Sequence, residues 1–284
     1  MFDGVKHATL GLRLPRIGRL RHVPNHRRTT ETCVAFKERQ ASDGLLGDNR
    51  QIAINRLRTT TVRSAKIVLL SSAKGGSAKT TSTRNLAVLA ARDGYRVATV
   101  DLDLQHTLTR WWNRRPEELP TIAHFDKVTM PEADHALSEI AALEDFDLVF
   151  VDTPPGVEHD TNQLRGVIKQ ADIVLIPTSQ GGEDLESVAE WMKLIRREGT
   201  PAYFLLCKTD REVSSLAEAR HFLSSIGKLC PHDVRQIQAV MRTYFEGKGV
   251  GDLTGKMGRK AAEDYEAVWN FIRFEIALEN LGSR

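Results

Sequence analysis

The chain has 284 residues, 41% hydrophobic and 27% charged, enough for one large α/β core or two small ones. No apolar run reaches about 18 residues, so no membrane span is expected, and the opening residues lack the apolar stretch of a secretory leader. Cys33, Cys207 and Cys230 are too few and too far apart for a disulfide framework and point to a reducing compartment.

The first segment in chain order is a basic arm. Residues 1–63 hold 13 Lys and Arg against 5 Asp and Glu, so the formal net charge of +3 conceals a slightly acidic remainder. The arm is rich in Arg, Thr, Pro and Gly and has little periodicity, so disorder is expected there. Its Arg-rich opening also fits an organelle transit peptide, or a start codon placed too far upstream.

Order is expected from about residue 64 to the end. KIVLLSS (66–72) reads as a strand and 80–94 as a helix that Gly94 closes. YRVATVD (95–101), DLVFVD (147–152), ADIVLIPT (171–178) and PAYFLLC (201–207) read as further strands. Helices are expected over 183–198, 214–227 and 260–281, with IQAVM (237–241) as a last short strand. Apolar strands alternating with amphipathic helices imply an α/β fold, a mostly parallel twisted sheet with helices on both faces. Ligands of such folds sit at the carboxyl ends of the strands.

The loop Ala73–Thr80 lies at that edge, between a strand and a helix. Glycines there let backbone N–H groups face an anion, and the helix N-terminus adds partial positive charge. Lys79 would reach the β- and γ-phosphates, and the Thr80 hydroxyl would ligate Mg²⁺. The ordinary pattern G-x-x-x-x-G-K-[ST] fails at both glycines, which are Ala73 and Ala78. VDLDLQHTLTRWW (100–112) places Asp101 and Asp103 two apart at a strand end, both facing the same region. FVDTPPG (150–156) ends a third apolar strand in Asp152, at the same edge.

Lys74-Gly75-Gly76-x-x-Lys79-Thr80-Thr81 resembles the deviant Walker A motif of the ParA/MinD/Soj ATPases. The two acidic stretches resemble that family's switch I and Walker B–switch II segments. The resemblance covers about Lys66 to Ile272 and implies a P-loop NTPase that binds ATP and Mg²⁺. The nucleotide-binding residues are then Lys74, Gly75, Gly76, Ser77, Ala78, Lys79, Thr80 and Thr81. Metal is held by Thr80, Asp101 and Asp152. Lys74, Lys79 and Asp103 carry catalysis, Asp103 matching the aspartate of the attacking water. Lys74 would cross to the ATP of a second subunit, which ties nucleotide binding to homodimer formation. The family has Gly where this chain has Ala78, so weaker nucleotide binding is expected.

The same resemblance implies a cytoplasmic, nucleoid-associated partition ATPase. It binds double-stranded DNA without sequence preference and is reset by a ParB- or ParG-like DNA-binding partner. Alternatives are a VirC1-like role in DNA transfer, MinD-like membrane cycling and a binding module that no longer hydrolyses ATP. The acidic carboxyl end disfavours the membrane. CKTD (207–210) resembles the guanine-reading NKxD with Cys for Asn, which makes Lys208 a candidate base contact. Lys248, Lys256, Arg259 and Lys260 form a basic cluster suited to DNA phosphates. His22, His26 and Cys33 fall short of a four-ligand zinc set. Trp111 and Trp112 read as packing residues.

Overall fold

The computed structural model describes residues 65–156 and 161–278. The basic arm and its candidate zinc residues lie outside them. Seven strands form one sheet: β1 (Lys66–Leu70), β2 (Val97–Asp101), β3 (Ile122–Phe125), β4 (Leu148–Asp152), β5 (Ile173–Thr178), β6 (Ala202–Thr209) and β7 (Val234–Arg235). Their order is β3-β2-β4-β1-β5-β6-β7, and every pairing is parallel.

The helices are α1 (Lys79–Arg92), α2 (Thr107–Trp112), α3 (Ala133–Ala142), α4 (Thr161–Gln170), α5 (Gly182–Arg197), α6 (Ser215–Ile226), α7 (Gln238–Arg242) and α8 (Gly255–Glu275). They cover both faces, which is why the central strands are apolar throughout. Val68 and Leu70 of β1 pack with α1, α2 and α8, while Ile67 and Leu69 pack with the layer of α3 to α6. Phe150 and Val151 of β4 divide in the same way. Gly94 takes φ 88° just past α1, the left-handed conformation that ends a helix.

The expected parallel α/β sheet is present. IQAVM is not a strand: Ile237 is extended, and Gln238–Arg242 is the helix α7. The edge pairing belongs instead to Val234–Arg235, beside Cys207 and Thr209. A five-residue apolar run does not distinguish a short strand from one helical turn.

The sheet's register sets up the site. Asp101 and Asp152 are direct Cα partners at the carboxyl ends of β2 and β4, and Leu70 of β1 pairs with Asp152 from the other side. The loops after β1, β2, β4 and β6 therefore open on one edge. Of the four non-glycine residues with positive φ among the described residues, Ala78 and His106 sit in these loops, and Lys208 sits at the irregular carboxyl end of β6. Backbone strain of this kind gathers at functional sites.

Candidate nucleotide and metal site

The loop from Ser71 to Ala78 turns from β1 into α1, and Lys79 opens the helix. Its side chain is buried and curls back across the loop. Nζ donates to Lys74 O at 3.1 Å and Ser72 O at 3.3 Å. Burial lowers its pKa, while Asp152 and Asp103 hold it up. Ser72 Oγ and Ser77 Oγ are buried and find no hydrogen-bond partner among the described residues. Orphan hydroxyls in a turn at a helix N-terminus are the donors an anion needs.

Thr80 Oγ1 donates to Asp152 Oδ2 at 2.6 Å, and Thr83 Oγ1 lies 3.4 Å from the other oxygen. Burial pushes Asp152 up to about 7. The Thr80 hydroxyl and Lys79 pull it down, and Asp101 and Asp103 push it further up. Three carboxylates thus face one buried ammonium, a surplus of negative charge that suits a divalent cation. No group of three or more His, Cys, Asp or Glu could hold a metal among the described residues. A cation here would rest on the Thr80 hydroxyl, on Asp152 through water and on ligand oxygens, the pattern of Mg²⁺ bound with phosphate.

Ala78 has φ 78° and ψ 21°, which a Cβ makes unfavourable by about 1–2 kcal/mol. Ala78→Gly is therefore expected to raise stability by up to about 1 kcal/mol, after the added freedom of the unfolded chain is subtracted. Thermal unfolding without nucleotide checks this, and Ala78→Val should melt lower than the wild type.

Lys74 does not reach over its own loop. Its Nζ pairs with Asp184 Oδ1 at 2.8 Å and Glu183 Oε2 at 3.5 Å in the first turn of α5. The bond to Asp184 raises the Lys74 pKa. Half-exposed, this lysine is held at the rim of the site.

Asp101 and Asp103 do not both project from the strand. β2 ends at Asp101, so the two-residue alternation stops there. Asp101 is buried and its oxygens are occupied within the chain. Oδ2 accepts the Thr109 N–H at 2.9 Å and hydroxyl at 2.8 Å, and Oδ1 accepts the Asp103 N–H at 3.1 Å. A direct metal bond from Asp101 would displace one of these. Asp103 is half-buried in the loop, and its Oδ1 accepts the Gln105 N–H at 2.9 Å.

Behind Thr109 sits His124 of β3. His124 Nε2 is 2.9 Å from Thr109 Oγ1, and Nδ1 is 2.9 Å from Thr99 Oγ1. Burial pushes this imidazole down to about 4, against the pull of Asp126 and with that of His106. The folded state thus refuses a proton that the unfolded state takes up below its ordinary value near 6.5. This contribution is complete above that value and falls away as pH drops toward 4. The loss between pH 7 and 5 is about 2 kcal/mol. Comparing denaturant midpoints with His124→Gln isolates it from Asp152, which titrates in the opposite sense.

Lys208 has φ 55° and donates to Gly76 O at 2.6 Å, so it braces the phosphate loop where a base contact was expected. Cys207 is buried, with Sγ 3.7 Å from Ser82 Oγ. Trp111 is fully buried and Trp112 stacks on His124, as packing residues do. In the basic cluster Lys248 pairs with Glu246, while Lys256, Arg259 and Lys260 are exposed at the start of α8.

The sequence reading missed Arg84, which is buried in α1. It donates to Val240 O at 2.6 Å and Lys248 O at 3.1 Å, tying α1 to the segment after β7. Burial lowers its pKa to about 10. Asp184 was missed as well, although an acidic pair opening a helix after Gly181-Gly182 was a visible signal.

The family profile of the CobQ/CobB/MinD/ParA nucleotide binding domain matches residues 68–261. Protein VirC1 of Rhizobium radiobacter is 34% identical over 122 residues, covering 40% of this chain and 48% of that protein. The chain thus spans about half the length of that relative. Protein IncC of Escherichia coli is 24% identical, with 80% of this chain and 75% of IncC covered. A plasmid partition protein from Borrelia burgdorferi B31 bound to AMPPNP superposes with TM-score 0.59 at 17% identity, over 74% of this chain and 99% of that one. MinD with Mg-ADP from Pyrococcus horikoshii superposes with TM-score 0.60 at 14% identity, over 73% and 96%. These likenesses extend to the fold.

Proposed function

The chain belongs to the CobQ/CobB/MinD/ParA nucleotide-binding family, and from that premise we propose that it is a ParA-type ATPase that positions DNA by switching between nucleotide states. The observation that carries this reading is the meeting of Lys79, Thr80 and Asp152 under a loop with two orphan hydroxyls. ATP takes the loop Lys74–Thr81, with Lys79 on the outer phosphates. Mg²⁺ supplies charge neutralisation at the phosphates when bound, held by Thr80 and, through water, Asp152. Asp103 is the residue that orients water, and Asp101 holds the loop that carries it.

Lys74 leaves Asp184 to reach the nucleotide of a second copy, so that ATP and dimerisation are coupled. The closed dimer then binds double-stranded DNA without sequence preference. Lys256, Arg259 and Lys260 are candidate phosphate contacts. A ParB- or ParG-like partner triggers hydrolysis and release. The protein would act in the cytoplasm, on the nucleoid. The identity with VirC1 makes DNA transfer the second cargo to consider. No described helix is long and apolar enough to cross a membrane.

The test measures mass and DNA affinity with no nucleotide, ADP–Mg²⁺, ATP–Mg²⁺ and a slowly hydrolysed analogue, at two salt concentrations. The expected result is a dimer and a salt-sensitive rise in DNA affinity with ATP or its analogue only. Indifference to nucleotide would sink the switch. Binding that vanishes when residues 1–63 are deleted would assign the DNA affinity to the arm.

A further inference from the structure

We infer that Thr109 and His124 are a positioning pair that aims Asp101 and sets the span of the loop carrying Asp103, a role that rests on the ATPase reading of the site. Thr109 closes the segment 102–108 by two bonds to one carboxylate oxygen, from its N–H at 2.9 Å and its hydroxyl at 2.8 Å. The Asp103 N–H bonds the other oxygen. The loop between is pinned at its start by the Leu102 N–H on Asp152 O at 3.0 Å and turned within itself by the Gln105 and His106 N–H groups on Asp103, but its tip faces solvent. Leu104 is 83% exposed, and His106 takes φ 49°. The near end of the loop is fixed by Asp152 O and Asp101, and its far end is fixed on the same carboxylate by Thr109, so Thr109 sets the span over which Asp103 is held.

The hydrogens of this chain run in one direction. A carboxylate accepts only, so the Thr109 hydroxyl spends its single proton on Asp101. Its oxygen can then only accept from His124, which requires the proton on Nε2. The bare Nδ1 lies 2.9 Å from the Thr99 hydroxyl, whose single proton it shares with Ala123 O at 3.1 Å. A neutral ring of one tautomer is thus specified, and burial that disfavours the charged ring agrees with it. Trp112 stacks on the imidazole at 5.2 Å and 22°, and its Nε1–H donates to Ile122 O at 2.7 Å. The ring is clamped between α2 and β3. Donors from α2, β2 and β3 therefore converge, directly or through one another, on the carboxylate beside Asp152.

The full chain is compared with Thr109→Val, Thr109→Ser, His124→Leu and His124→Gln. Thr109→Val is expected to keep affinity for a fluorescent ATP analogue with Mg²⁺ within about threefold while kcat falls at least about tenfold. In ligand-free protein, hydrogen exchange of peptides covering 103–112 should lose its protection in Thr109→Val. Thr109→Ser restores both readouts. His124→Gln keeps a donor toward Thr109 and should behave as wild type, where His124→Leu behaves as Thr109→Val. Long-range ¹H–¹⁵N spectra should show His124 protonated at Nε2.

An unchanged kcat with unchanged exchange in Thr109→Val overturns the inference, as does a proton on Nδ1. A fall in ATP affinity equal to the fall in kcat would overturn it in favour of a merely structural role. If Thr109→Val fails to fold, the His124→Gln and His124→Leu comparison and the tautomer decide. A wild type that binds no ATP overturns the ATPase reading, and the exchange and tautomer readouts still judge the pair.

Discussion

Lys79→Met is expected to lower affinity for Mg–ATP by about 100-fold or more while the sheet stays intact. In the ligand-free chain the Lys79 ammonium bonds the carbonyls of Lys74 and Ser72 across the turn, and it is one of the buried charges of the site. Neither carbonyl is ionised, so phosphate oxygens are the better acceptors and displace them. Each hydrogen bond to a charged group contributes about 1.5–3 kcal/mol. Two such bonds, less the carbonyl bonds given up, leave about 3 kcal/mol, or roughly 100-fold. Titration calorimetry checks the affinity, and circular dichroism checks the fold. An affinity within about threefold of wild type would remove Lys79 from the phosphates, and with it the central assignment of the site.

Lys74→Ala is expected to act elsewhere. Lys74 touches Asp184 and Glu183 on α5 and no part of its own loop's interior, so single-site ATP binding should change by no more than about threefold. What should disappear is the ATP-dependent dimer seen by light scattering, together with the nucleotide-dependent rise in DNA affinity. Hydrolysis should fall by about 100-fold or more, since a cation at developing phosphate charge has that order of effect. The pair with Asp184 is half-exposed and weak, which lets Lys74 exchange one carboxylate for a phosphate of the other subunit. Asp184→Asn should then shift dimer formation to lower ATP concentrations. A Lys74→Ala protein that dimerises with ATP as wild type does would refute the cross-subunit role.

The core of the fold was legible because β1, β2, β4, β5 and β6 are covered on both faces and read as apolar runs. β3 was not legible. At the sheet's edge IAHF mixes small, polar and aromatic residues, and His124 owes its burial to Trp112 and Thr109, which no local pattern reveals. The motif spacing located Lys79, Thr80 and Asp152 because each follows directly from its own strand end. Asp101 was placed on the right edge, but its hydrogen-bond partners were not legible. Its partner Thr109 arrives only when α2 folds back over eight residues. Where the Lys208 side chain points was not legible, for a related reason. Its left-handed backbone turns the side chain onto Gly76, and nothing in CKTD announces a positive φ. Ala78 was legible as a departure from the glycine of the family, and the φ of 78° supplies the reason it matters.

The place of β1 in the sheet has a consequence for the order of synthesis. β1 is the first described strand to leave the ribosome, yet its two neighbours are β4 and β5, whose last residues are Asp152 and Thr178. The turn that follows β1 therefore has no walls until nearly a hundred further residues have been translated, about 5–20 s at ordinary elongation rates. Until then Lys79 has no Asp152 to face, and the apolar stretch 67–70 has nothing to pair with. The nascent chain carries the nucleotide loop long before it can hold a nucleotide. A ribosome-bound chain stalled near residue 150 should bind no ATP, and chaperone contact should be greatest in that interval. Competence should arrive in one late step, when β4 and β5 close on the strand that came first.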